Sequence, residues 1–257
     1  MERLFFRERQ YELERENSRV EQWNIGVTGL GRSMGTTFVA TALAFYFQSM
    51  GKNVTFVQCL TPSHASGLLY DSVAMDQRFA HRTFHDPYLK IAKEESVRDL
   101  GNLEEGIRWM IPSGKAGDLT EQQRSRLIHG ARGELCIFDL EADSSWDGFM
   151  MDMDLLIVVT DPLPSKLIHH VERFKRLKKM ELSGTTAVWV VNRCNDGVNK
   201  RQVKGFLKNN QLVWIPSFGE ESFYQCEYAC KFLWENKEIQ RKMLEIFTKV
   251  SQLKPSL

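Results

Sequence analysis

The sequence predicts an α/β protein with a mostly parallel sheet of about seven strands and helices on both faces. Short stretches that are apolar throughout alternate with amphipathic stretches of helical spacing, which is typical of strands buried on both faces of a parallel sheet. The hydrophobic content of 42% suits a globular protein. Internal repeats and low-complexity linkers are not evident, so we expect one domain over residues 24–257 after an N-terminal extension over 1–23.

Each predicted element follows from its local pattern. Seven apolar stretches are predicted as strands, at 25–28, 54–60, 106–112, 135–140, 155–160, 186–192 and 211–216. Helices are predicted at 36–47, 119–131, 165–180, 198–209, 223–234 and 237–253. Residues 67–105 are more polar, and we expect helical pieces there.

The first 23 residues have a different composition from the rest of the chain. They carry five arginines and six glutamates, which predicts a polar helix. We favour a solvated helix packed lightly on the domain, and a partner-binding or dimerisation arm is the alternative.

Charge and cysteine content indicate a reduced, cytoplasmic protein. The net charge is +1 and gives no overall electrostatic case for nucleic acid or membrane binding. No apolar run reaches the roughly 18–20 residues needed to span a bilayer. The charged N-terminus does not resemble a secretory signal, and the five cysteines are an odd number.

The stretch from the first strand into the first helix has the layout of a phosphate-binding loop. A glycine-bearing loop (29–35) is followed by Thr36, Thr37 and an apolar helix. The N–H groups and positive dipole end of a helix N-terminus suit a phosphate. In the pattern G-x-x-x-x-G-K-[ST], Thr36 occupies the lysine position and Leu30 the first glycine position. Thr37 occupies the position of the hydroxyl that ligates Mg²⁺.

Ordered blocks along the chain resemble the MinD/ParA family of deviant Walker A P-loop ATPases. The loop region reads VTGLGRSMGTTFVATALA, and QCLTPSHASGL follows the second strand. Later blocks are NLEEGIRWMIPSG, GELCIFDLEA, DLLIVVTDP, WVVNR and VWIPSF. The resemblance covers about residues 24–250 and implies a P-loop NTPase-like fold.

The positions that depart from the family pattern are the chemical ones. The family's signature lysine falls at Gly31 and its P-loop lysine at Thr36. Its two aspartates after the second strand fall at Gln58 and Leu60. Phosphoryl transfer depends on cations and on positioned groups around the phosphate, so we predict little or no hydrolysis and assign no catalytic residue.

The resemblance still implies a site for ATP or ADP with Mg²⁺. Thr37 and Asp139 would hold the metal, and Asn192 would contact the adenine. The complete set of implied nucleotide-binding residues is Gly31, Arg32, Ser33, Met34, Gly35, Thr36, Thr37, Asn192, Arg193, Pro216 and Ser217. Each also has a purely structural reading, since Gly35 to Thr37 can simply begin a helix, and Asp139 and Asn192 can stabilise turns.

The resemblance implies a nucleotide switch or scaffold that forms a homodimer and acts with a protein partner in a larger bacterial assembly. The altered loop is similar to the TadZ/CpaE-like branch, which points to a pilus or secretion system. The alternatives are an active ATPase that uses Arg32 and an interaction domain that binds no nucleotide. The basic stretch 172–180 is interpreted as a solvated face, with DNA or anionic lipid contact as the alternative; any membrane recruitment would occur through a partner.

Overall fold

A mostly parallel sheet forms the centre of the fold. The computed structural model describes residues 22–61, 68–70, 72–73, 82–98 and 100–252. Within them, eight strands are ordered β3-β4-β2-β5-β1-β6-β7-β8. They are β1 (Trp23–Gly29), β2 (Val54–Cys59), β3 (Leu103–Glu104), β4 (Ile107–Met110), β5 (Leu135–Leu140), β6 (Leu155–Thr160), β7 (Ala187–Cys194) and β8 (Val213–Pro216). Only β3 and β4 pair antiparallel among them, so the predicted α/β class is confirmed.

Helices connect most of the strands and lie on both faces of the sheet. They are α1 (Thr36–Ser49), α2 (Leu68–Tyr70), α3 (Pro87–Ala92), α4 (Glu121–Gly130), α5 (Ser144–Asp147), α6 (Pro164–His169), α7 (Val171–Leu182), α8 (Lys200–Leu207), α9 (Glu220–Tyr228) and α10 (Lys237–Ser251). Short 3₁₀ turns occur at Gly148–Asp152 and Leu233–Glu235.

An apolar core lies on each face because successive side chains of a strand point in opposite directions. In β5, Ile137 packs in one core and Phe138 in the other. The first core includes Leu43 of α1 and Met243 of α10. The second includes Leu177 of α7. Both faces are therefore covered, as the continuous apolar strands predicted.

The strand order brings three loops together at one edge of the sheet. β1 lies between β5 and β6, and β5 separates β1 from β2. Asp139 of β5 is in register with Val27 on one side and Gln58 on the other. Because these strands are parallel, the loops that follow them meet at their carboxyl ends, where ligands bind in such sheets.

Three parts of the architecture differ from the sequence prediction. The helix predicted over 223–234 spans Glu220–Tyr228 and is followed by a separate 3₁₀ turn at Leu233–Glu235. The sheet has an eighth strand, β3, whose two residues are too few to show a periodic pattern. The helix predicted over 165–180 is two helices, since His170 has φ −103° and ψ 22° and interrupts it. This break places the His170 ring against the loop after β1.

The ends of the chain clarify the predicted boundaries. Trp23, assigned to the extension, is the first residue of β1, and the rest of the predicted N-terminal helix lies outside the described residues. In α10, Ile239, Met243 and Phe247 are buried, so these three positions form part of the core. Among the described residues, none of the helices combines the length and apolar composition that crossing a bilayer requires.

Candidate phosphate-binding site

The loop between β1 and α1, called the Gly35 cradle below, leads into a helix N-terminus that has no side-chain cap. Gly35, the N-cap of α1, is in the left-handed region with φ 84° and ψ 27°. It has no side chain with which to cap the first turn, so the N–H groups there stay available to a ligand. A Cβ at this position would lie 2.2 Å from Nδ2 of Asn192. Position 35 therefore requires glycine for its conformation and for space.

Asn192 of β7 holds this loop from the side. Its side chain is almost fully buried, at 4% exposure. The amide Nδ2 donates to the carbonyl of Met34 at 3.0 Å, and Oδ1 accepts from the N–H of Arg193 at 2.9 Å. The residue expected to contact adenine therefore has a demonstrable structural role in positioning the loop.

Thr37 and Asp139, the two residues predicted to hold a metal, are in direct contact. The Thr37 hydroxyl donates to Oδ2 of Asp139 at 2.7 Å. Burial raises the pKa of Asp139 to about 6; hydrogen bonds from Thr37 and Gln58 lower it, and the charge of Glu141 raises it. Gln58, on the neighbouring strand, thus supplies an amide that stabilises the carboxylate where the family pattern has a second carboxylate.

Glu141 brings a further carboxylate into the same cleft, which sequence reasoning did not assign to the site. Its Oε1 lies 3.2 Å from Nη2 of Arg32, and its Oε2 accepts from the N–H of Thr61 at 2.8 Å. The loops after β1, β2 and β5 are thereby connected through one side chain. In the sequence, the only indication that Glu141 belongs to this cleft was its position two residues after Asp139.

The position of the family's signature lysine is sterically closed. A Cβ on Gly31 would lie only 2.1 Å from Nε2 of His170. Burial, together with the positive charges of His169, Arg173 and Lys166, lowers the pKa of His170. The imidazole therefore occupies the space into which a side chain at position 31 would extend.

Arg193 crosses the cleft from β7 to the loop. It has a left-handed backbone with φ 60°, which is uncommon for a residue other than glycine. Its Nη1 donates to the carbonyl of Ser33 at 3.0 Å and to Oδ2 of Asp161 at 3.1 Å. Asp161 also binds Nζ of Lys166 at 2.8 Å.

The basic stretch 172–180, interpreted from the sequence as a solvated face, contains one buried cation, Arg173. Its side chain is buried and lies beneath the loop, where Nε donates to the Gly29 carbonyl at 3.0 Å. Nη2 donates to the Thr28 hydroxyl at 3.1 Å and Nη1 to Asp147 at 2.6 Å. Its position four residues before buried Leu177 was the available signal, because i and i+4 share a helix face.

Two cavities meet at Arg193. The first, of about 550 Å³, is the phosphate cleft, whose lining includes Thr36, Thr37, Asp139 and Glu141. The second, of about 630 Å³, lies between α6 and α8 and is mostly apolar, with Ser217 in its wall. Pro216 ends β8 in register with Cys194. Seven of the predicted nucleotide residues line the first cavity, namely Gly31, Arg32, Ser33, Gly35, Thr36, Thr37 and Arg193. Ser217 lines the second, whereas Met34 is buried in the apolar core.

The described residues offer only part of a metal coordination shell. Among them, no group of three or more histidine, cysteine, aspartate or glutamate side chains is arranged to hold a metal ion. A cation beside Thr37 and Asp139 would therefore need further ligands, which the phosphates of a nucleotide and water provide for Mg²⁺ in such sites.

Solved structures with this architecture share its topology at low sequence identity. A ParA family ATPase from Chlorobium tepidum superposes with a TM-score of 0.66 and 16% identity over 87% of this chain and 97% of that one. The chain has the ParA/MinD fold. The septum site-determining protein MinD from Pyrococcus horikoshii, solved with Mg-ADP, gives 0.62 and 13% over 90% and 97%. The predicted resemblance to MinD/ParA is thus confirmed for the fold.

Sequence comparison gives a different relative. The chain is 28% identical over 180 residues to erythronate-4-phosphate dehydrogenase of Pseudoalteromonas translucida. The match covers 68% of this chain, and the chain spans 42% of that protein's length. No protein-family model matches the chain.

The strand order separates the ParA/MinD fold from a dinucleotide-binding sheet. In the dinucleotide-binding order 3-2-1-4-5-6, the strand after the first helix lies beside the first strand. Here β5 is inserted between β1 and β2. The strand beside β1 therefore carries Asp139, whose carboxylate accepts from the Thr37 hydroxyl at the start of α1.

Proposed function

We propose that the chain is a nucleotide-binding switch or scaffold that binds ATP or ADP with Mg²⁺ and hydrolyses it slowly or not at all. The observation that carries this proposal is the Thr37–Asp139 hydrogen bond of 2.7 Å at the mouth of the Gly35 cradle. This contact supports a metal site in a loop whose two family lysine positions, 31 and 36, hold glycine and threonine.

The binding half of the proposal rests on groups that face the cleft. The Thr37 hydroxyl would ligate Mg²⁺, and Asp139 would orient that hydroxyl and a metal-bound water. The bound ion would neutralise phosphate charge. The loop N–H groups would hold the phosphates, and Arg193 and Ser217 would face the nucleoside from the second cavity. The structurally similar MinD carries Mg-ADP, which supports this class of ligand.

The prediction of weak hydrolysis follows from the charges that the cleft lacks. Residues 36 and 31 provide no lysine, and Gln58 replaces a carboxylate. Removal of one electrostatic contact to a transition state commonly costs about 10²–10³ in rate. An active ATPase that uses Arg32 is the alternative, but that guanidinium lies beside Glu141 at 3.2 Å.

The proposed cellular role follows the family resemblance. We propose a homodimer that meets over the phosphate loop and engages a protein partner in a bacterial assembly, such as a pilus or secretion system of the TadZ/CpaE type. We place the protein in the cytoplasm, with any membrane recruitment through that partner. DNA or lipid contact by the exposed lysines of α7 is a secondary proposal.

Calorimetric titration with Mg-ATP and Mg-ADP tests binding. Thr37→Val should weaken Mg-dependent binding about tenfold or more, since it removes a polar ligand without changing side-chain shape. Thr41→Val, on the same helix, is the matched control because the Thr41 hydroxyl bonds only to helix carbonyls among the described contacts. Absence of binding by the wild type at millimolar nucleotide would refute nucleotide binding and favour the alternative of a protein-interaction domain.

Turnover then separates the switch from the active ATPase. Phosphate release should stay near background for the wild type. Rapid hydrolysis that disappears in Asp139→Ala would refute the switch and establish the alternative.

A further inference from the structure

The phosphate cleft contains an ion pair between its own walls. Arg32 lies in the loop after β1, and its side chain is 55% exposed. Glu141 follows β5, and its side chain is 10% exposed. Nη2 of Arg32 and Oε1 of Glu141 are 3.2 Å apart, and both residues line the cleft. The Arg32 guanidinium, a group that suits a phosphate, is thus already paired with the Glu141 carboxylate.

Glu141 is fixed independently of Arg32. Its Oε2 accepts from the N–H of Thr61 at 2.8 Å, and its own N–H donates to the Cys59 carbonyl at 2.8 Å. Both contacts come from the end of β2 and the loop after it. The carboxylate can therefore keep its place when Arg32 leaves, whereas the more exposed guanidinium can turn toward a ligand.

The surroundings make an exchange of partners favourable for a highly charged ligand. Asp139 is the other carboxylate of the cleft, and the charge of Glu141 acts unfavourably on it. Arg193, the other guanidinium in the lining, is held by Asp161. Arginine binds phosphate through paired N–H groups, and a phosphate carries more charge than a carboxylate. Arg32 is thus the cation that a terminal phosphate can recruit.

We propose that Glu141 is a positioning residue that competes with the nucleotide for Arg32. A terminal phosphate takes the guanidinium from Oε1 of Glu141, and the carboxylate keeps the Thr61 N–H. Glu141 therefore lowers nucleotide affinity. This inference rests on the nucleotide binding proposed above.

The substitution Glu141→Gln tests the effect of the Glu141 charge while preserving the shape of the side chain. Glutamine keeps a carbonyl oxygen for the Thr61 N–H and removes the charge that holds Arg32. We expect calorimetry with Mg-ATP to show an about two- to fivefold lower Kd, the size expected for a partly exposed ion pair. Glu134→Gln is the matched control, since Glu134 pairs with Lys52 at 2.8 Å at the opposite edge of the sheet, and it should leave Kd unchanged.

A double-mutant cycle with Arg32→Gln identifies the mechanism. If Arg32 changes partner, Glu141→Gln should improve affinity about threefold more in the presence of Arg32 than in the Arg32→Gln background. Equal effects in both backgrounds would show a general charge effect and overturn the proposal. Urea unfolding of each variant verifies that the fold is retained.

The results also separate this inference from the proposed function. Wild-type binding without tighter binding by Glu141→Gln would refute the competition alone. Binding by Glu141→Gln but not by the wild type would overturn nucleotide binding by the wild type and would support the competition for Arg32. Absence of binding by both proteins would overturn nucleotide binding and, with it, this inference.

Discussion

Replacement of Asp139 by asparagine should stabilise the ligand-free protein while abolishing its metal-dependent response. Asp139 is 5% exposed, and burial raises its pKa to about 6. Asparagine has nearly the same shape and carries no charge. Its carbonyl can accept from the Thr37 hydroxyl, which donates to Asp139 at 2.7 Å in the wild type.

The magnitude follows from the pKa difference between the folded and unfolded chains. An ordinary aspartate has a pKa of 3.8, against about 6 in the fold. Between pH 3.8 and pH 6 the folded state keeps a proton on Asp139 that the unfolded state has released. The free energy of unfolding is therefore highest, as far as this carboxyl is concerned, below pH 3.8 and falls as the pH rises to 6. At about 1.4 kcal/mol for a pKa difference of one, the loss amounts to about 3 kcal/mol.

Urea unfolding in EDTA, at several values between pH 4 and pH 8, measures this directly. The difference in the free energy of unfolding, Asp139→Asn minus wild type, should rise from pH 4 to pH 6. Above pH 6 it should stay constant, with the variant more stable by about 3 kcal/mol. The comparison cancels other titrating groups because both chains contain them. A difference that is independent of pH, or a less stable variant at pH 8, would refute the assigned burial of charge. In a parallel titration, Mg²⁺ with nucleotide should stabilise only the wild type.

Two further predictions concern the glycines of the loop. Gly35→Ala should destabilise the protein by about 1–3 kcal/mol more than Gly51→Ala in urea unfolding. The two glycines have similar φ angles, 84° and 79°, but only a Cβ at position 35 meets Asn192, and nothing lies within 4 Å of a Cβ at position 51. Equal losses would contradict this contact. Gly31→Ala should also destabilise, since its Cβ would lie 2.1 Å from the His170 ring, and His170→Ala in the same chain should recover most of that loss. If the double variant is as unstable as the sum of the singles, the clash is not the cause.

The fold was predictable because its signals are local. Continuous apolar stretches gave seven of the eight strands, and the missing one, β3, has only two residues. Helical spacing gave the helix region after Pro164 but not its break at His170. The break brings the His170 ring to the loop after β1, a contact between positions that are distant in sequence.

The site was predictable where one motif contains the relevant residues. The loop from Gly29 to Thr37 is a contiguous pattern, and Asp139 is the polar residue near the end of an apolar strand. The contacts of Arg173 with Gly29 and Thr28 span 144 and 145 residues. Such contacts leave little trace in one sequence, because a buried arginine and a solvated arginine have the same letter and similar helical neighbours.

The topology explains how binding and hydrolysis can be separated in this cleft. β5 lies next to β1, so Asp139 faces the start of α1 whatever stands at the end of β2. The Thr37–Asp139 contact therefore survives when Gln58 takes the place of a carboxylate, and the Gln58 amide even stabilises the remaining charge. Phosphate positioning uses backbone N–H groups, which do not depend on a lysine at 36. In the proposed function, this strand order keeps the Thr37–Asp139 contact and the loop N–H groups for nucleotide binding while the positions that would favour rapid phosphoryl transfer hold other residues.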